Sequence, residues 1–156
     1  MRNEDSNRPL DDIDRALITQ LQQDGRRAYR EMARTLGVSE GMVRWRVRRL
    51  MDEGTLRVVA IADPFRLGYK VLASLLLRVS PGDLERVVET LVSWEDVVYV
   101  STCTGRVDLY LQVVCHDHED LWELLARRIP SIGGVSETET LMELKVHKIQ
   151  YTYLPD

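Results

Sequence analysis

The residues whose types and spacing best suit chemistry lie between 39 and 49: Ser39, Gly41, Arg44, Trp45, Arg48 and Arg49. At helical spacing, Gly41, Trp45 and Arg48 fall on one face, with Arg44 and Arg49 on its flanks. Guanidinium groups in such a row can bind guanine edges bidentately or lie on phosphates in the major groove of DNA. A tryptophan among them suits a thymine methyl or the sugar backbone, and Gly41 either leaves room for close backbone approach or is merely tolerated. The opposite stripe, Val43, Val47 and Leu50, recurs at i, i+4 and i+7 and faces a core. Taken alone, the same row is equally compatible with a solvated basic face on an ordinary surface helix.

A second cluster, Cys115-His116-Asp117-His118 with Cys103 upstream, holds metal-ligand residue types. Cys115 and His118 straddle the end of a strand and the start of a helix, a poor geometry for convergence. Asp117 is expected to cap that helix instead. A Cys–His catalytic pair has neither an oxyanion hole nor a cleft to accompany it. No catalytic residue, metal or cofactor is therefore expected. Both cysteines lie in apolar alternating runs and read as reduced core residues rather than a disulfide.

Three short helices must hold the arginine row. Asp11 serves as N-cap of the first, and Asp12 and Asp14 favour the positive end of its dipole. Ile13, Leu17, Ile18 and Leu21 form its buried stripe, and Asp24-Gly25 ends it. Arg26 and Arg27 follow, placed either to touch phosphates or to hold Asp24 and the first turn. The second helix runs from about Tyr29 to Leu36 and buries Met32, Ala33 and Leu36. Gly37 then permits the positive φ of a sharp reversal, and Ser39 caps the third helix. Two helices joined by a tight glycine turn make a helix-turn-helix. Thr55–Ala62 is expected to add a strand, making the module winged.

Beyond Asp63-Pro64 the pattern changes. Val71–Val79 reads as a strand, and Leu84, Val87, Val88, Leu91 and Val92 keep a helical period. Val97–Cys103 and Val107–Cys115 are strands around a turn at Thr104-Gly105-Arg106. A helix from about Glu119 to Ile129 buries Leu121, Leu124, Leu125 and Ile129, and a last strand spans Val135–Val146. The order βαββαβ is the ferredoxin-like arrangement, with helices on one sheet face only. Tyr110, Val114, Leu75 and Leu77 are assigned to the other face, too apolar to stay wet, so a dimer is expected. Ile149, Tyr151 and Tyr153 alternate and suit pairing with a partner's strand. The expected organisation is a loose tail at 1–9, a DNA-binding domain at 10–62, a hinge at 63–69 and a dimer-forming βαββαβ domain at 70–156.

The net charge of −4 argues weakly against nucleic acid, but the average conceals a division. Residues 26–49 hold 8 Arg against 2 Glu, whereas residues 65–156 hold 9 basic against 14 acidic residues. Basic charge is concentrated where phosphates would be met. No apolar run approaches the ~18 residues of a membrane span and no leader opens the chain, so a soluble cytoplasmic protein with no membrane partner is expected.

From Leu10 to about Lys148 the chain resembles the Lrp/AsnC (feast/famine) family of prokaryotic transcription regulators. The resemblance is carried by LDDIDRALITQLQQDGRRA, the GVS turn, the run from Arg46 to Leu56, Gly105-Arg106-Val107-Asp108, Asp117, and Gly134-Val135 with Thr138 and Thr140. It implies an α+β chain, a winged helix-turn-helix followed by an ACT-like (RAM) βαββαβ domain, and no enzyme activity. It implies a regulator that binds double-stranded DNA as a dimer, often as an octamer of four dimers, tuned by an amino-acid effector between dimers. Thr104, Gly105, Arg106 and Asp108, with Thr138 and Thr140 of a neighbouring subunit, would line the effector site, Asp108 pairing with the α-ammonium, although Asp108 could equally cap the hairpin. The chain departs from the family at Ala28, where a capping serine is usual, at a cost of about 1 kcal/mol. It departs again at Arg106-Val107, where acidic and aromatic residues are frequent. The βαββαβ half alone is also compatible with a small-molecule-binding or enzymatic domain.

Overall fold

The computed structural model describes residues 9–148. Met1 to Arg8 of the expected tail, and Ile149, Tyr151 and Tyr153, lie outside the described residues. The described chain forms two compact units, one reaching Ile61 and the other spanning Ala62–Lys148.

The first unit is three helices: α1 (Asp12–Gln23), α2 (Tyr29–Leu36) and α3 (Glu40–Asp52). Asp11 caps α1 by accepting from the Asp14 amide at 2.9 Å, while the Asp14 carboxylate accepts from the Asp11 amide at 3.4 Å. This reciprocal box satisfies two amides that the first turn leaves free. Ala28 supplies no side-chain cap to α2, whose far end is turned by Gly37 at φ 67. Ser39 Oγ then accepts from the Met42 amide at 3.2 Å to open α3. Leu17, Met32, Val43 and Leu50 are fully buried between the helices.

The expected wing strand over Thr55–Ala62 is not formed. Leu56 is buried against the helices, whereas Val58, Val59 and Ile61 are exposed. An extended segment becomes a strand only when a neighbour completes its backbone hydrogen bonds, and no described segment pairs with this one.

In the second unit, Asp63 caps a single 3-10 turn, Pro64–Leu67, which ends at Gly68 with φ 98. There follow β1 (Val71–Val79), α4 (Leu84–Val92), β2 (Val97–Thr102), β3 (Leu109–Cys115), α5 (His118–Glu123), α6 (Ile129–Ile132) and β4 (Val135–Met142). The sheet is antiparallel in the order β2-β3-β1-β4. Between α5 and α6 the chain passes through a π-helical segment, Leu124–Arg128, where the Ile129 amide reaches back five residues to the Leu124 carbonyl. Pro130 directly after it has no amide with which to restore the regular ladder.

Leu75 and Leu77, expected on the open sheet face, lie on the helix side. Both are fully buried with Val71, Ala73, Leu109, Leu111, Val87 and Leu124. Residues 71–75 are buried without a break, so the strand shows no alternation from which to read its face. Leu72, Ser74, Leu76 and Arg78 occupy the open face instead, alternating with the helix-side set. Ser74 Oγ meets the Tyr110 hydroxyl at 2.9 Å there and donates to Glu143 Oε1 at 3.1 Å. Val92, expected in the α4 stripe, is exposed, and β4 stops at Met142 rather than Val146.

Candidate nucleic-acid interface and ligand cleft

Helix α3 divides its five basic and aromatic residues between two jobs. Arg48 is exposed, with no ion-pair or hydrogen-bond partner among the described residues. Arg44 is exposed too, held by Glu40 at 2.9 Å and lying 5.3 Å from the Tyr29 ring centroid. Trp45 keeps 57% of its surface exposed, and Gly41 stands in open space. These residues form one accessible face, with Ser39 at its start as the helix cap.

Arg49 does not belong to that face, contrary to the sequence expectation. Its guanidinium is turned inward onto Asp14 at 2.6 Å, leaving the side chain 16% exposed. Arg46 donates to Asp14 at 2.9 Å and to Asp11 at 2.6 Å. A buried aspartate on α1 is thus clamped by two arginines one turn apart on α3, which ties the third helix to the first. A buried carboxylate demands such partners, because leaving it unpaired in low dielectric is costly. The sequence signal was the acidic pair Asp11 and Asp14 opening α1, but helical spacing on α3 alone cannot show that two of its arginines serve them.

The Asp11 carboxyl is held below its ordinary value of 3.8, first by the Asp14 amide and then by Arg46. The unfolded chain therefore takes up a proton at higher pH than the folded one. The stability from this cap is full above about pH 5 and is lost as pH falls through the lowered value. The stability gap between wild type and Asp11→Asn should shrink on acidification from about pH 5, measured by urea unfolding at several pH values. A gap constant over that interval would show that the Asp11 charge contributes nothing.

Arg26 is exposed beside the turn after α1, its amide bonded to Asp24 Oδ1 at 2.9 Å. Arg27 is half-buried and donates to Gln20 Oε1 at 3.3 Å. The Arg26 guanidinium has no hydrogen-bond or ion-pair partner among the described residues, whereas Arg27 braces α1.

In the second unit a cleft of about 420 Å³ is lined by Leu76, Arg78, Arg106, Val107, Glu137, Thr138 and Glu139. Arg106 pairs with Glu139 at 2.8 Å, and Arg78 donates to the Arg106 carbonyl at 2.6 Å. Two cations and two carboxylates thus face one small volume. Of the sequence-predicted ligand residues, Arg106 and Thr138 meet here within one chain. Thr104, Gly105 and Thr140 are exposed but do not line the cleft. Asp108 takes the hairpin-closing role, its Oδ2 accepting from the Val79 amide at 2.8 Å just beyond the last β1–β3 pair, Leu77 with Leu109. Its own amide donates to the Leu77 carbonyl, so the residue closes the strand pair. Arg78, Glu137 and Glu139 were not anticipated; a charged residue following an unbroken apolar run is the signal for Arg78.

The Cys115 cluster is dispersed over separate tasks. Burial, reinforced by the Asp96 and Asp120 carboxylates, pushes the Cys115 thiol up to about 11, so it is uncharged at neutral pH. His116 stacks on Tyr69, and Asp117 caps α5 by accepting from the Glu119 and Asp120 amides. Both cysteines are free thiols. Among the described residues no three His, Cys, Asp or Glu side chains converge as a metal site, and no helix is long and apolar enough to cross a membrane.

Residues 10–51 match the AsnC-type helix-turn-helix domain, and residues 72–153 match the Lrp/AsnC ligand binding domain. The HTH-type transcriptional regulator FL11 of Pyrococcus abyssi is 37% identical over 147 residues, covering 94% of this chain and 96% of its own. The structure of AsnC from E. coli superposes with a TM-score of 0.84 at 28% identity, covering 95% of this chain and all of the other. A transcriptional regulator of Neisseria meningitidis, solved as a complex with L-methionine, shares the fold with a TM-score of 0.83 at 21% identity, covering 93% of this chain and 96% of its own.

Proposed function

The chain belongs to the Lrp/AsnC family of transcriptional regulators, and from that premise we propose how its own residues divide the work. Helix α3 enters the major groove, with Arg48 on a base edge and Arg44 and Trp45 flanking it. The observation that carries this reading is the division of α3, whose inward arginines are neutralised while Arg48 stays exposed and without a partner among the described residues. A guanidinium free of internal partners can meet guanine bidentately without first breaking a bond. Ser39 and Gly41 bring the helix start close to the backbone, and Arg26, with Arg27 behind it, supplies phosphate contact.

The effector of this reading is an amino acid or related zwitterion held at the Arg78–Arg106–Glu137–Glu139 cleft. Its carboxylate would meet a guanidinium, and its ammonium would meet Glu137 or Glu139 in place of Asp108. The L-methionine complex of the Neisseria regulator supports an amino acid as the class of ligand. The chain acts in the cytoplasm as a dimer, assembled further as four dimers. The exposed Val58, Val59 and Ile61 and the open sheet face with Leu72, Leu76 and Val114 favour such association. Effector binding between dimers would alter the spacing of the α3 helices and so the half-sites they bridge.

Arg48→Ala is expected to weaken binding to a selected site by ~1–3 kcal/mol while leaving random-sequence binding nearly unchanged. Titration of a fragment upstream of the protein's own gene, with and without each of the twenty amino acids, tests both halves together. Absence of binding even at low salt would remove the DNA reading. Binding that no amino acid alters would remove the effector reading alone.

A further inference from the structure

Trp45 is a large apolar side chain left mostly exposed on a helix otherwise well buried behind, and nothing in the fold of the helical unit requires it there. Its indole is nevertheless not without support. The Arg49 guanidinium lies 5.2 Å from the ring centroid, one turn further along α3. That guanidinium is itself fixed, since Asp14 takes its terminal nitrogen at 2.6 Å and is 1% exposed. Glu53 stands a further turn on, 3.7 Å from Arg49 Nε. The order of support runs from a buried carboxylate on α1, through a planar cation, to an aromatic ring at the surface.

We propose that Asp14 and Arg49 are positioning residues that hold the Trp45 indole in one orientation, and that Trp45 so held is a specificity-determining contact to an apolar base edge, the thymine methyl. The proposal rests on α3 being the DNA-reading element. A cation over an aromatic face favours a parallel, stacked arrangement and restricts the ring's two torsions. Arg49 serves here better than lysine would, because a planar guanidinium can stack on the ring and bond a carboxylate edge-on at once. A pre-oriented ring loses little freedom on docking, so its contact with a methyl group discriminates between bases instead of adhering to any duplex. Arg49 thereby acts on DNA recognition without touching DNA.

The test uses the full chain and a random pool of duplexes, from which wild type, Trp45→Ala, Arg49→Met, Arg49→Lys and Arg48→Ala each select preferred sites. Trp45→Ala and Arg49→Met should lose preference at the same thymine position, by roughly fivefold or more, while Arg48→Ala loses preference elsewhere. The double variant Trp45→Ala with Arg49→Met should lose no more than either alone. Arg49→Lys keeps the charge on Asp14 and should preserve stability, yet weaken the same preference. Fluorine NMR of fluorotryptophan-labelled protein without DNA supplies an independent reading: Arg49→Met should shift and narrow the Trp45 resonance as the ring is released.

A uniform loss on selected and random DNA, with a smaller salt slope, would make Arg49 a phosphate contact and overturn the proposal. Additive effects of Arg49→Met and Trp45→Ala, or an unaltered Trp45 resonance, would overturn it too while leaving α3 as the reading element. A wild-type selection that enriches no sequence would remove the DNA reading itself, and the specificity role with it.

Discussion

Asp14→Ala is expected to destabilise the helical unit by about 3–5 kcal/mol. The Asp14 side chain is 2% exposed and accepts from Arg46 at 2.9 Å and from Arg49 at 2.6 Å. Removing it leaves two guanidiniums with little access to water. Arg46 retains Asp11 at 2.6 Å, whereas Arg49 retains Glu53 at 3.7 Å and the face of the Trp45 ring. The loss should therefore fall toward the lower end of the range, with Arg49 swinging outward. Urea unfolding followed by helical circular dichroism measures it directly. A loss below ~1 kcal/mol would place the cluster among surface pairs of small worth. Asp14→Asn should lie between, since it keeps one acceptor and the shape but not the charge.

Gly134→Ala is expected to cost about 2–4 kcal/mol in the sheet unit. Gly134 sits at φ 77, and an added Cβ would stand 2.7 Å from the Asp83 Cβ. That contact is near the main chain, so no side-chain rotation relieves it and the start of α4 must move. The carbonyl of Gly134 accepts from the Ser80 amide at 2.7 Å, and Asp83 Oδ1 accepts from Arg86 at 2.7 Å. A shift there disturbs the junction of β1, α4 and β4 together. Gly37→Ala provides the contrast, with a similar φ of 67 and nothing within 4 Å, and should cost only ~1–2 kcal/mol. Thermal unfolding of the two variants separates backbone strain from steric exclusion; equal losses would mean that the Asp83 contact is relieved at no cost.

What could be read in the sequence was what local rules determine. Asp11, Ser39 and Asp117 are caps in the structure, and Gly37 makes the left-handed turn. The stripes Leu17, Leu21 and Val43, Val47, Leu50 are buried as their spacing demands. What could not be read depended on distant partners. The face of Leu75 and Leu77 is set by helices packing on a strand whose first residues are all buried. Arg49 looks outward on a helical wheel, and only the placement of α1, some 35 positions away in sequence, turns it inward. Asp108 reads equally as a ligand residue and as a hairpin cap; the β1–β3 ladder ends at Leu77, and the Val79 amide beyond it takes the Asp108 carboxylate. The wing is extended chain whose strand character requires a second backbone. The π-helical Leu124–Arg128 follows no spacing rule; it directs Arg128 onto Asp96 and over the Trp94 ring.

The division of α3 between inward and outward side chains has an evolutionary consequence. Positions 43, 46, 47, 49 and 50 hold the helix in place, positions 41 and 48 add almost nothing to that hold, and position 44 adds only an exposed contact with Glu40 and the Tyr29 ring. Substitutions in the second group can alter which duplex is preferred with little effect on folding, so the repertoire of sites can drift while the scaffold persists. Position 45 is the exception. Its ring leans on Arg49, so a change there draws on the anchoring set, and a lineage that alters it must keep both groups compatible.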